Sequence, residues 1–171
     1  MQLKPYLETL YDYNFWANHR YFAVAEALTD EQLHHGQGHS WGDVYAMFVH
    51  MVSSEWIWLQ RWHGNSPKGH LDQAEFRNLA SIKERWDGQE AGLRAFIVAQ
   101  TKESLQSVIA YSNLSAETFH VPLWQMLMHL ANHETHHRGE LAAMFALMNV
   151  PHPEDEVIQY FLNLSGQKKF S

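Results

Sequence analysis

The sequence predicts an all-α protein, a four-helix bundle with a long crossover between helices 2 and 3 and short helical appendages. Three observations carry this. Apolar residues recur at spacings of three and four along four separate stretches. Helix-capping patterns stand at several of their openings. The polar, turn-rich segment from Gly64 to Ala80 is the one long connection, and no linker divides the 171 residues, so residues 1–171 read as a single domain.

The first helix is expected from about Lys4 to Leu28, with Tyr6, Leu7, Leu10, Tyr11, Phe15, Asn18, Phe22 and Ala25 setting its period. Thr29-Asp30-Glu31-Gln32 is a capping box for a short helical turn, and His34 to His39 reads as a loop. Ser40 is the expected N-cap of the second helix, with Asp43 in its first turn. This helix should run to about His63 and stop at Gly64-Asn65-Ser66-Pro67. It is apolar nearly all round, which predicts burial on every side. Ser81-Ile82-Lys83-Glu84 should open the third helix, running to about Gln100, and Thr101-Lys102-Glu103-Ser104 a second short appendage. β-Branched and aromatic residues on either side of Asn113-Leu114-Ser115 leave room for a small hairpin. Pro122 can open the fourth helix, which should reach about Asn149, and Pro153-Glu154-Asp155 a last short helix to about Leu164.

Composition narrows the function classes. The formal net charge is −7, and the densest basic run is Lys168-Lys169. Nucleic-acid binding needs a positive footprint, so no nucleic-acid partner is expected. No stretch is apolar enough for a membrane span and the N-terminus lacks a signal-peptide pattern, so no membrane partner is expected either. The absence of cysteine excludes disulfides, thiolate ligands and a cysteine nucleophile, and fits a cytoplasmic location.

Histidine is the anomaly, with 13 copies. Four of them, His129, His133, His136 and His137, fall within nine residues of the fourth helix. Spacing alone carries little in so histidine-rich a chain; helical phase carries more. At about 100° per residue, Met126, Leu130, Leu141, Met144 and Met148 form one apolar stripe. His133 and His137 lie inside it, and His129 and His136 on its flank. Two neutral imidazoles stacked on a buried face would need two sets of hydrogen-bond partners, whereas one metal ion satisfies both. His50, midway along the buried second helix, is the candidate third ligand. Three histidines leave at least one coordination position open, which is the pattern of a catalytic site. Glu55, Glu134 and Glu140 could orient a ligand histidine, although each reads more simply as a solvated charge or a helix salt bridge. By the same reading Arg138 is a helix-surface arginine and Gly139 permits close helix packing. His19, His34, His35, His39, His63, His70, His120 and His152 lie in loops or at element ends and read as surface or capping residues, and Trp56, Trp58 and Trp62 as packing.

Three segments resemble the DinB family, the DinB/YfiT-like group of metalloenzymes. They are Tyr13-Asn14-Phe15-Trp16-Ala17-Asn18, His50 with Glu55-Trp56-Ile57-Trp58-Leu59, and Asn132-His133-Glu134-Thr135-His136-His137-Arg138-Gly139. The resemblance spans nearly the whole chain in order. It implies a four-helix bundle, a site for a divalent metal (zinc or nickel) formed by His50, His133 and His137, and a homodimer. Some members are thiol-dependent transferases or isomerases that use bacillithiol, mycothiol or glutathione. This implies a small-molecule thiol and an electrophilic substrate as partners.

Three functions follow. A metal-dependent S-transferase needs no cysteine of its own, because the ion activates an external thiol. A metal-dependent hydrolase needs a general base, for which Glu140 lies nearest in phase. A non-catalytic, stress-induced protein would use the metal to tie two helices together. No residue is assigned a catalytic role by the sequence.

Overall fold

Four periodic segments become the four long helices of the computed structural model, which describes residues 2–38 and 40–167. His39, within the expected loop, and Lys168-Lys169 lie outside the described residues. The helices are α1 (Leu3–Glu26), α2 (Asp30–Leu33), α3 (Val44–Trp62), α4 (Leu79–Val98), α5 (Lys102–Gln106), α6 (Leu123–Leu147) and α7 (Val157–Leu164). Strands β1 (Val108–Ser112) and β2 (Thr118–Pro122) pair antiparallel, with Tyr111 opposite Phe119. The chain is therefore mostly helical with one small hairpin rather than purely α, and the β-branched residues before Asn113 and after Ser115 are the cause.

Capping chemistry sets the helix starts, and in two places the capping residue differs from expectation. Thr29 and Gln32 close the expected box at α2. Ser40 does not cap α3: it sits at φ 51°, in a turn where Gln37 N–H donates to the Gly42 carbonyl at 2.7 Å. Asp43 caps instead, its carboxylate accepting from Ala46 N–H at 2.7 Å. At α4 the cap is Asn78, and Ser81 is the residue three positions in whose hydroxyl accepts from the Asn78 N–H. The last helix likewise starts late, at Val157, because Pro151 and Pro153 hold the preceding chain extended.

Sixteen of the nineteen residues of α3 are buried, as its all-round apolar sequence requires. Around the bundle the order is α1, α4, α3, α6, with α1 diagonal to α3. Side-chain pairings give the directions. Phe22 packs on Trp86 and Arg94 pairs with Asp12, so α1 and α4 are antiparallel. Phe48 packs on Trp86 and Trp62 on Phe96, so α3 and α4 are parallel. Gly92 sits at that contact, where a Cβ would come within 3.1 Å of Leu59, a packing that favours glycine. Parallel neighbours force the connection between them to travel back along the bundle. The nineteen residues of α3 span about 28 Å, and the segment 63–78 is long enough to cover it. This crossover passes over the middle of α3, where Ser53 Oγ accepts from Leu71 N–H at 2.8 Å. No helix among the described residues is long and apolar enough to cross a membrane.

Candidate metal centre

Helices α3 and α6 run antiparallel, with Trp58 beside His129 and His50 beside His137, so the midpoints of the two helices face each other. The structure brings His50, His133 and His137 together there. Their imidazole Nε2 atoms converge: His50 Nε2 stands 3.0 Å from His137 Nε2, and His137 Nε2 stands 3.1 Å from His133 Nε2. All three ligand atoms lie within 4.8 Å of one another. His50 and His137 are buried, and His133 is partly open at the rim.

Tautomers decide what this cluster can do. His137 Nδ1 is 2.6 Å from Glu140 Oε2, so the ring proton sits on Nδ1 and its Nε2 presents a lone pair. That lone pair faces two further Nε2 atoms, and three rings cannot all satisfy one another in a buried triangle. A single cation can. Nitrogen ligands about 2.1 Å from one ion, at angles between tetrahedral and octahedral, stand about 3.0–3.4 Å apart. The observed spacings fall in that range, and neutral imidazole suits zinc and nickel. The residues present fit a divalent ion.

Burial keeps His50 and His137 neutral. His50 has its pKa pushed down to about 2, first by burial and then by His137, His133 and His70. Burial also lowers His137, against the opposing hydrogen bond to Glu140. Burial raises Glu140, but the hydrogen bonds from His137 and Ser40 outweigh it and hold the group below the usual carboxylate range. Glu140 is therefore ionised, and Ser40 ties the loop before α3 to this side of the site.

The surroundings include residues that sequence reasoning missed. Trp41 stacks on the His50 ring at 3.8 Å and 15°. His70 is exposed in the crossover loop, as expected, and the crossover also carries it over the site. It packs on Trp41 and His50, and its Nδ1 lies 3.1 Å from Ser53 Oγ. His129 and His136 flank the cluster as expected, packed against His133 and His137 respectively.

A second polar cluster lies directly behind the histidines. Arg138 is not on the helix surface: it is fully buried. Its Nη1 donates to Asn14 Oδ1 at 2.8 Å and Asn18 Oδ1 at 2.7 Å, its Nη2 to Thr135 Oγ1 at 2.9 Å, and its Nε to Asp155 Oδ2 at 3.2 Å. Glu55 and Glu134 are also fully buried rather than solvated, and Asn18 Nδ2 reaches both, at 3.5 and 3.4 Å. Burial, reinforced by Glu134, pushes Glu55 well above the usual carboxylate range. Glu134 Oε1 also lies 3.5 Å from His133 Nδ1, on the second coordination side of that ring. Asn14/Asn18 and Glu134/Arg138 are polar pairs four apart on otherwise apolar faces, the same signal that marks His133/His137. Gly139 has no neighbour within 4 Å of a Cβ position, so close packing does not explain it.

Over 140 residues the chain is 27% identical to "Protein DinB" of Bacillus subtilis (strain 168), covering 79% of this chain and 81% of that protein. The model of the DinB family matches residues 1–161, which include all four bundle helices and the three converging histidines, and the chain belongs to the DinB family.

Proposed function

We propose that the protein holds one divalent ion, zinc or nickel, on His50, His133 and His137, and transfers a small-molecule thiol of the bacillithiol, mycothiol or glutathione type to an electrophile. The observation that carries the reading is the convergence of three Nε2 atoms at 3.0 and 3.1 Å with the His137 tautomer fixed by Glu140. Bound there, the ion would supply a Lewis-acidic position that lowers the pKa of an incoming thiol.

The chain's own residues do the rest. Glu140 orients His137 and strengthens it as a donor. Trp41 fixes the plane of the His50 ring and covers one side of it. The thiol is brought from outside, since the chain has no cysteine. Hydrolysis is a weaker reading: Glu140 is engaged with His137 and Ser40, and Glu55 and Glu134 are sealed behind the ligands, so no carboxylate is free to act as base. We place the working form as a homodimer of single-domain subunits, consistent with the exposed apolar face of α7 at Ile158, Phe161 and Leu164.

Elemental analysis of protein purified without a metal-affinity tag tests the site. One zinc or nickel per chain, lost in His137→Ala, is the expected result, followed by thiol consumption when an electrophile is added. Wild-type protein that neither carries nor takes up either metal would sink the proposal. Metal binding without thiol transfer, with ligand variants that only lose stability, would leave the ion as a tie between α3 and α6.

A further inference from the structure

Arg61, in the last turn of α3, is 6% exposed, and no hydrogen bond or ion pair reaches its guanidinium among the described residues. This is unusual in a chain with 19 Asp and Glu against 12 Lys and Arg. Its Nε is sealed from water with no acceptor, which carries a desolvation cost. Two aromatic faces offset part of it, since the guanidinium lies 4.7 Å from the centre of the Trp58 ring and 5.0 Å from that of Tyr111. Those rings hold its plane but use none of its five N–H donors. Arg138 shows what this fold does with a buried arginine it has completed; Arg61 is left incomplete.

Its position links it to the histidine cluster. Trp58, on which it lies, packs on His129 at 4.8 Å, and His129 packs on His133 at 6.0 Å. Arg61 is eleven residues beyond His50, about 16 Å along the helix, and its side chain leans back a turn onto Trp58, which shortens the gap to roughly 10 Å.

We infer that Arg61 is the docking residue for a carboxylate of the thiol, held between Trp58 and Tyr111 while the sulfur reaches the three-histidine centre. A carboxylate matches the guanidinium fork with two parallel hydrogen bonds, which lysine would not reproduce. The span selects a thiol of tripeptide size with acidic groups remote from its sulfur, glutathione being one such molecule. The inference rests on the thiol reading of the site.

Cobalt(II)-loaded protein provides a test that does not depend on turnover, because a thiolate reaching the ion adds a near-ultraviolet charge-transfer band. Titrations use glutathione and its diethyl ester, which keeps the thiol and masks both carboxylates. In wild type glutathione should bind about 10- to 100-fold more tightly than the ester, the range for a charge-assisted pair. The protein's net charge of −7 works against this preference, so it cannot be a long-range effect. Arg61→Gln should remove the preference by weakening glutathione alone, with the cobalt d–d spectrum showing an intact centre, and Arg61→Lys should restore part of it. Equal binding of the two thiols in wild type, or a preference that survives in Arg61→Gln, overturns the role of Arg61 while leaving the thiol reading standing. No charge-transfer band with either thiol overturns both.

Discussion

Arg138 and His137 are neighbours on α6, yet the two polar clusters they anchor are satisfied to different degrees. Behind the helix, each nitrogen of the Arg138 guanidinium has an oxygen partner from α1, α6 or the segment before α7. In front, three Nε2 atoms face one another with no partner but themselves and the Ser54 hydroxyl at 3.4 Å from His50. The buried Nδ1 of His50 is unpartnered as well, and that of His133 has only Glu134 Oε1, at 3.5 Å. A completed network fixes one arrangement of the core and has no room for a ligand. An incomplete one, held rigid by the first, is a site that waits for its last component. The lesson is that burial of polar groups does not by itself mark function: Glu55 Oε2 and Glu134 Oε1 also lack a hydrogen-bond partner, and the contrast is between the Arg138 guanidinium, which is complete, and the three converging Nε2 atoms, which are not.

Removing the completed cluster should have the larger effect. Arg138→Met leaves the buried Asn14 and Asn18 side-chain oxygens without their donor and removes the ion pair to Asp155, and should cost about 3–5 kcal/mol in urea unfolding of the metal-free protein. His137→Ala should cost much less in the same measurement, since it removes one member of a mutually repelling set. If the two substitutions cost the same, the distinction between a structural and a waiting cluster fails.

The contrast also explains what was legible in the sequence. The four helices followed from period and caps, and the two misplaced caps, at Asp43 and Asn78, came where a neighbouring polar residue competed for the same role. His50, His133 and His137 were legible because phase on a helix is a local property. His70 and Trp41 were not, because they reach the site on a crossover and a turn whose paths no periodicity encodes. Arg138, Glu55 and Glu134 were misread as solvated because charged side chains are rarely buried unless paired. Their pairing partners lie on other helices, Asn14 and Asn18 on α1 foremost.

A second way to separate the clusters is pH. His50 has an ordinary unfolded value of about 6.5 and a folded value of about 2. The unfolded chain therefore binds a proton that the folded one refuses, so metal-free stability is full above about pH 6.5 and falls as pH drops through the window towards 2. His137, also lowered, adds to the same slope. Between pH 7 and 5 His50 alone should account for up to about 2 kcal/mol, and His50→Ala should flatten the profile. Added zinc or nickel should oppose the loss near neutrality by competing with protons for the same nitrogens. A metal-free protein whose urea midpoint is constant from pH 7 to 5 would contradict a neutral, buried His50.

The finest discrimination comes from paired substitutions five residues apart on α6. Glu140→Ala removes the acceptor that holds His137 as the Nδ1–H tautomer, so the ring spends time with its proton on the metal-facing nitrogen. Affinity measured by competition with a chromogenic chelator should weaken about 10- to 100-fold, the range for loss of such a partner. Stability of the metal-free protein should change by less than about 1 kcal/mol, because Glu140 is partly exposed and its lost hydrogen bond is replaced by water. Thr135→Val should do the reverse. It removes the oxygen that accepts from Arg138 Nη2, so stability should fall by about 1–2 kcal/mol while metal affinity holds. Each substitution then moves only its own readout, as the two clusters require. If Thr135→Val weakens metal binding as much as Glu140→Ala does, the Arg138 network and the histidine site are one coupled unit and the division drawn between them is wrong.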